Sequence, residues 1–309
     1  MIITVTMNPA VDKTVEVDKF QPYGLNRIRR VEYDAGGKGI NVSKTIHALG
    51  GESLAMGFLG GNTGNTIENV LTEKGIRHDF IYVDGETRTN TKVFDRVGGV
   101  TELNEPGPEI SKEQTEALIR KICDHTDKDT LVVLAGSVPA GVSKNIYAEI
   151  TGRVHDKGGK ILMDADGELF LQALQAGPDM IKPNQAELEE YTGADHKMSV
   201  GEIAEAAGKF CKKGIQTVAV SMGKDGAVFV GANYKIKCPA VPVKAHSTVG
   251  AGDAMVAAIA YAYDRNLSEK EMVRLCMAVS AGAVTTVGTK PPEKELVEQL
   301  MQKVEMQML

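Results

Sequence analysis

A carboxylate in the first turn of a helix, with glycines just ahead of it, is what phosphoryl transfer needs. The stretch Ser247-Thr248-Val249-Gly250-Ala251-Gly252-Asp253-Ala254 has this form and opens an apolar helical pattern. Small residues at 250–252 leave several backbone N–H groups aimed at one point, at the positive end of the helix dipole. Such amides can hold charge on a transferred phosphoryl group while the carboxylate accepts the proton of an attacking hydroxyl. An acidic residue in a first turn also stabilises a helix by itself. That role does not require Gly-Ala-Gly ahead of it.

Three further sites carry chemistry. Ala35-Gly36-Gly37-Lys38-Gly39-Ile40-Asn41 precedes a helical pattern. Its glycines allow close approach of the backbone to a ligand, Lys38 adds a cation and Asn41 a donor and acceptor. It is not a Walker A loop, because Lys38 is followed by Gly39 rather than Ser or Thr. The chain has no GxGxxG fingerprint after its first strand, which argues against a nucleotide-dependent dehydrogenase. Lys182-Pro183-Asn184-Gln185-Ala186-Glu187 runs from a strand end into a helix, and Asn184 with Glu187 three positions on forms a capping-box pattern. Ser221-Met222-Gly223-Lys224-Asp225-Gly226-Ala227 reads as a strand running into a tight turn. Taken singly, each has a plain structural explanation as a turn or a cap.

These sites lie between short β-branched runs and longer helical patterns. Strands are expected at 2–7, 53–58, 79–83, 130–134, 160–163, 180–182 and 217–220, and helices at 41–49, 64–74 and 118–125. The tail, with helices at 254–263, 268–286 and 293–306, has little strand. Alternation of this kind predicts βαβ units around a buried parallel sheet, an α/β fold. Segments 12–33 and 87–104 depart from it, alternating with period two as half-exposed strands do. Two such insertions predict a small sheet beside the main domain, serving as a lid or a dimer surface.

The 309 residues include 42% apolar and 25% charged, the balance of a folded globular protein. Lys plus Arg number 35 and Asp plus Glu 41, a net charge of −6. No basic surplus exists to drive non-specific binding to nucleic acid or an anionic membrane. Cys123, Cys211, Cys238 and Cys276 form no CxxC or Cys/His cluster, so neither zinc nor a redox pair is signalled. The first seven residues form a β-like run that breaks at Asn8-Pro9 rather than a secretory leader. A cytoplasmic protein with free thiols is the expectation.

In their order along the chain, the four sites resemble the ribokinase-like (PfkB-type) sugar kinase family. Gly36-Gly37-Lys38-Gly39-Ile40-Asn41-Val42-Ser43 is similar to its first signature and Ser247 to Asp253 to its second. The resemblance implies a ribokinase-like, doubly wound, mostly parallel sheet flanked by helices. Residues 1–11, 34–86 and 105–309 would form this kinase domain, and 12–33 and 87–104 a small β-sheet lid. It implies ATP as co-substrate with Mg²⁺, no nucleic-acid or membrane partner, and a homodimer through the lid. Asp253 matches the catalytic base, and Gly250, Ala251 and Gly252 the anion hole. Asp12, Gly37, Lys38 and Asn41 match the sugar site. Lys182, Asn184 and Glu187 match an element near the nucleotide phosphates, with Glu187 acting on Mg²⁺ through water. Ser221, Gly223 and Gly226 match the turn that approaches ATP.

Thr4 to Asp12, Gly24-Leu25-Asn26-Arg27, Thr87-Arg88-Thr89-Asn90 and Ala135-Gly136-Ser137-Val138 resemble the hexose-phosphate branch of that family. The branch implies that Arg27, Lys38 and Arg88 surround the phosphate already on the sugar, with Asn90 and Ser137 nearby. An arginine fork suits phosphate oxygens. The implied acceptor is a ketohexose phosphate, fructose 1-phosphate ahead of tagatose 6-phosphate. A protein that binds the sugar phosphate without turnover remains the alternative of a different class.

Overall fold

Runs such as Ile2-Ile3-Thr4-Val5-Thr6 are apolar or β-branched at every position and buried at every position. A strand covered on both faces demands this. The computed structural model describes residues 1–96 and 98–309; Val97, within the expected lid segment 87–104, lies outside the described residues. The strands are β1 (Ile2–Thr6), β2 (Ala10–Val17), β3 (Arg30–Gly36), β4 (Leu54–Leu59), β5 (Arg77–His78), β6 (Ile81–Tyr82), β7 (Arg88–Asp95) and β8 (Gly99–Asn104). They continue with β9 (Leu131–Ala135), β10 (Lys160–Asp164), β11 (Met180–Ile181), β12 (Thr217–Ser221), β13 (Ala227–Gly231), β14 (Lys235–Cys238) and β15 (Gln307–Met308). The helices are α1 (Lys38–Ala48), α2 (Gly61–Glu73), α3 (Lys112–Asp124), α4 (Ile146–Asp156) and α5 (Gly167–Gln175). After them come α6 (Gln185–Thr192), α7 (Val200–Lys212), α8 (Ala251–Asp264), α9 (Glu269–Ala283) and α10 (Lys294–Met301).

The main sheet runs β15-β14-β13-β12-β11-β10-β9-β1-β4-β5, with β6 also on β4. From β12 to β5 its pairs are parallel, while β13, β14 and β15 are added antiparallel. Helices cover both faces. Val5, Leu134 and Ile161 face one core, and Ile2, Val133 and Leu162 the other. The chain leaves β1 toward β4 on one side and returns to β9 on the other, so the winding reverses at β1. Ligands of open α/β sheets bind outside the carboxyl ends of strands at such a reversal. Among the described residues no helix is long and apolar enough to cross a membrane.

Two glycines move helix starts forward from the predicted positions. Gly37 caps α1 with φ 107°, and a Cβ there would stand 2.6 Å from Thr6 Cγ2. The helix therefore begins at Lys38, inside the glycine motif, rather than at 41. Gly250, at φ 85°, likewise lets α8 begin at Ala251 rather than at 254. Ser111, Ser199 and Ser268 start α3, α7 and α9 with complete capping boxes.

The two period-two segments meet in one four-stranded sheet of order β3-β2-β7-β8. β2 pairs β3 antiparallel and β7 in parallel, and β7 pairs β8 antiparallel. The register aligns Asp34, Asp12, Asn90 and Asn104 in one row across all four strands.

Candidate active site

The loops at the carboxyl ends of the parallel strands converge with the start of α8. A cleft of about 780 Å³ opens there. Its polar lining includes Lys38, Asp164, Lys182, Asn184, Glu187, Ser221, Gly223, Gly226, Ala251, Gly252 and Asp253, and its apolar lining Val241, Pro242, Val243, Met255, Met277, Ala281 and Val284. A flat aromatic base suits the apolar residues and a chain of phosphates the polar ones. The first-turn amides of α8 have no intrahelical acceptor and lie on the polar wall beside Asp253.

Asp253 is buried, and Asn41 Nδ2 donates to its Oδ2 at 2.8 Å. Burial pushes this carboxyl from its ordinary 3.8 up to about 6, and the nearby Asp164 charge adds to the rise. The Asn41 amide, Lys38 and Lys182 pull it back. A base placed near neutral pH takes a proton more effectively than an ordinary aspartate.

Asp164 closes β10 and was not singled out in the sequence. Lys38 Nζ lies 3.3 Å from its Oδ2 and Lys182 Nζ 3.3 Å from its Oδ1. Burial would raise Asp164, but the two ammoniums outweigh it and hold the carboxylate below its usual range. Lys38 is raised, because Asp164, Asp253, Glu187 and Asp166 together outweigh its burial. Asp164 thus fixes two cations on the cleft wall. A usable signal existed: an acidic residue ends the apolar run Ile161-Leu162-Met163 at the carboxyl end of a parallel strand.

Asn184 and Glu187 form the complete capping box of α6. Asn184 Oδ1 accepts from Glu187 N at 2.9 Å, and Glu187 Oε2 accepts from Asn184 N at 2.8 Å. Burial raises the Glu187 carboxyl. Its other oxygen takes no part in the box, and both residues line the cleft. Ser221 N donates to Pro183 O, setting the Ser221 turn beside Asn184.

The small sheet supplies a second group. Arg88, Asn90 and Lys92 alternate on one face of β7, and Asp12 faces them from β2. Asn90 Nδ2 lies 3.5 Å from Asp12 Oδ1 and Lys92 Nζ 3.8 Å from it. Burial raises Asp12, opposed by Lys92 and Lys44. Arg88 donates from Nη2 to Asn8 O at 3.0 Å and from Nη1 to Glu105 O at 3.4 Å. Arg88 Nε, Asn90 Oδ1, Asn41 Oδ1 and Thr6 Oγ1 are buried and have no partner. Such orphans are costly unless a ligand satisfies them. Lys92 follows Asn90 by two, the spacing of one strand face, and that spacing is its only mark in the sequence. Arg27 and Ser137 are both exposed. Among the described residues Arg27 forms no ion pair.

The cleft can hold a polyanion along amides and lysines beside a raised carboxylate, and the small-sheet face carries cations and unpartnered polar groups that a second polar ligand could satisfy. The pfkB family carbohydrate kinase model matches residues 5–296. A 1-phosphofructokinase of Borreliella burgdorferi is 36% identical over 288 residues, 93% of this chain and 92% of its own. That of Bacillus subtilis is 36% identical over 305 residues, 98% of each. Phosphofructokinase-2 from Escherichia coli in complex with fructose-6-phosphate superposes with TM-score 0.91 at 27% identity, covering 97% of this chain and 98% of that one. Ribokinase from Thermotoga maritima shares the fold at TM-score 0.78 and 23% identity, over 98% of this chain and 99% of that one. With the family model spanning nearly its whole length, this chain belongs to the pfkB family of carbohydrate kinases.

Proposed function

We propose that this protein phosphorylates fructose 1-phosphate with ATP, giving fructose 1,6-bisphosphate and ADP. The 1-phosphofructokinases it resembles over their full length support that acceptor. The observation that carries the proposal is Asp253, held by Asn41 in the first turn of α8 beside the amides of Gly250–Gly252 and raised toward neutrality. Asp253 accepts the proton of the free sugar hydroxyl as that oxygen bonds to the γ-phosphorus and the bond to the β-phosphate oxygen breaks. The amides of Gly250, Ala251 and Gly252 hold the charge on the transferred group. Lys38 and Lys182, fixed by Asp164, face the phosphates across the cleft. Arg88, with Nε free, meets the sugar phosphate; Asp12 and Asn90 hold sugar hydroxyls, and the Gly37–Asn41 turn closes over them.

The donor set suits a hard cation: Glu187 lines the cleft and has one carboxylate oxygen outside the capping box. Glu187 would hold Mg²⁺ through water, and the ion would offset phosphate charge. The small sheet would act as a lid, and its exposed Val31, Tyr33 and Leu103, on the face opposite Asp12 and Asn90, would pair two copies through it. The reaction would run in the cytoplasm, where ATP is supplied.

The deciding experiment compares kcat/KM for fructose 1-phosphate, tagatose 6-phosphate and fructose 6-phosphate. Fructose 1-phosphate should lead. A clear win for either 6-phosphate would overturn the acceptor, and binding without ADP release on all three would favour a sensor.

A further inference from the structure

Lys44 lies one turn beyond Asn41 on α1 and is only 4% exposed. Its Nζ donates to Ala35 O at 2.6 Å and to Thr289 Oγ1 at 3.3 Å. Among the described residues no carboxylate forms an ion pair with it. Asp34, Asp12 and Asp253 act on it only from a distance, and burial holds it below the ordinary lysine value. A buried ammonium whose contacts are neutral oxygens is costly to desolvate, and two hydrogen bonds to neutral acceptors recover only part of that cost. Stability therefore does not account for Lys44.

We propose that Lys44 is a positioning residue for phosphoryl transfer, tying the Gly250 turn to the end of β3, where the small sheet joins the main domain. The proposal rests on the kinase reaction above. Three consecutive residues after α9 meet β3 or its tether. A Cβ on Gly288 would stand 2.7 Å from Asp34 Oδ2, Thr289 receives Lys44, and Lys290 lies 3.9 Å from Glu32. The same segment backs the anion hole. A Cβ on Gly250 would meet Thr289 Cα at 3.6 Å, and Val284 O accepts from His246 N and Ser247 N at 2.7 and 3.1 Å. Asp12 holds its hydroxyl from the small sheet, while the amides of α8 hold the phosphoryl group. In-line transfer tolerates little error between the two. Lys44 bonds to both sides of that junction, to Ala35 O and to Thr289 Oγ1.

The test uses the full chain with Lys44→Met, Thr289→Val and Thr289→Ser. Lys44→Met should keep or raise Tm, lower kcat about tenfold or more, and leave the KM for ATP within about twofold. Thr289→Val should repeat the kcat loss, and Thr289→Ser, which keeps the hydroxyl, should restore it. Hydrogen exchange at the Gly250–Gly252 amides should speed up in Lys44→Met and Thr289→Val. Wild-type kcat in Lys44→Met, a Tm loss that matches its activity loss, or a wild-type Thr289→Val would each overturn the proposal. If the wild-type protein does not phosphorylate fructose 1-phosphate, the acceptor is wrong, and amide exchange still decides the role of Lys44.

Discussion

Asn41 Nδ2 donates to Asp253 Oδ2 at 2.8 Å, joining the first turn of α1 to the first turn of α8 across 212 residues of chain. The bond orients the carboxylate, leaves its Oδ1 for a substrate proton, and limits how far burial raises it. It also brings the two glycine motifs to one point.

Asp253→Asn should lower kcat by about 10²–10⁴-fold with little change in ATP binding. Titration calorimetry with a non-hydrolysable ATP analogue separates the two effects. The substitution should also raise Tm at neutral pH. A carboxyl held at about 6 rather than 3.8 binds its proton more tightly when folded, so its ionisation costs the folded state stability as pH rises through that window. Asparagine avoids the cost, and an unchanged or lower Tm would contradict it.

The acidic limb of kcat/KM should fall near pH 6, because Asp253 must be ionised to accept a proton. Asn41→Ala removes a bond that lowers this pKa and should move the limb to higher pH. Asp164→Asn removes a charge that raises it and should move the limb to lower pH. Profiles that shift in the same direction would dismiss Asp253 as the titrating group. Asp164→Asn should also lower Tm, since Lys38 and Lys182 lose their shared counter-charge.

Arg88→Met should raise the KM for the sugar phosphate by about 10–100-fold and the KM for ATP far less. Its guanidinium is anchored by Asn8 O and Glu105 O, and Nε is left without a partner for the ligand to satisfy. Equal effects on both KM values would show that Arg88 does not serve the sugar side.

Glu187→Gln retains the N3 partner that a capping box accepts, so Tm should stay near that of the wild type. The Mg²⁺ concentration for half-maximal rate should rise several-fold, because a neutral amide binds a hard cation poorly. Chelation of Mg²⁺ should abolish turnover in both proteins. A rate curve against Mg²⁺ identical to wild type would remove Glu187 from metal binding.

The chemistry of the site was legible wherever it is local. Gly250 to Asp253, Gly37 to Asn41 and Asn184 to Glu187 each combine a turn, a helix start and a functional group within a few residues. Backbone physics alone ties these features together, and the same holds for the alternation that predicts a parallel sheet. Asp164, Lys92 and Lys44 were not legible, because their partners come from remote strands and helices. Asp12 faces Asn90 only through the parallel pairing of β2 with β7. Lys44 reaches Thr289 across 245 residues, and Asp164 gathers Lys38 from the start of α1 and Lys182 from the end of β11. The net charge of −6 excludes bulk attraction of two anionic substrates. Only the tertiary structure decided which cations and amides stand close enough together to hold them.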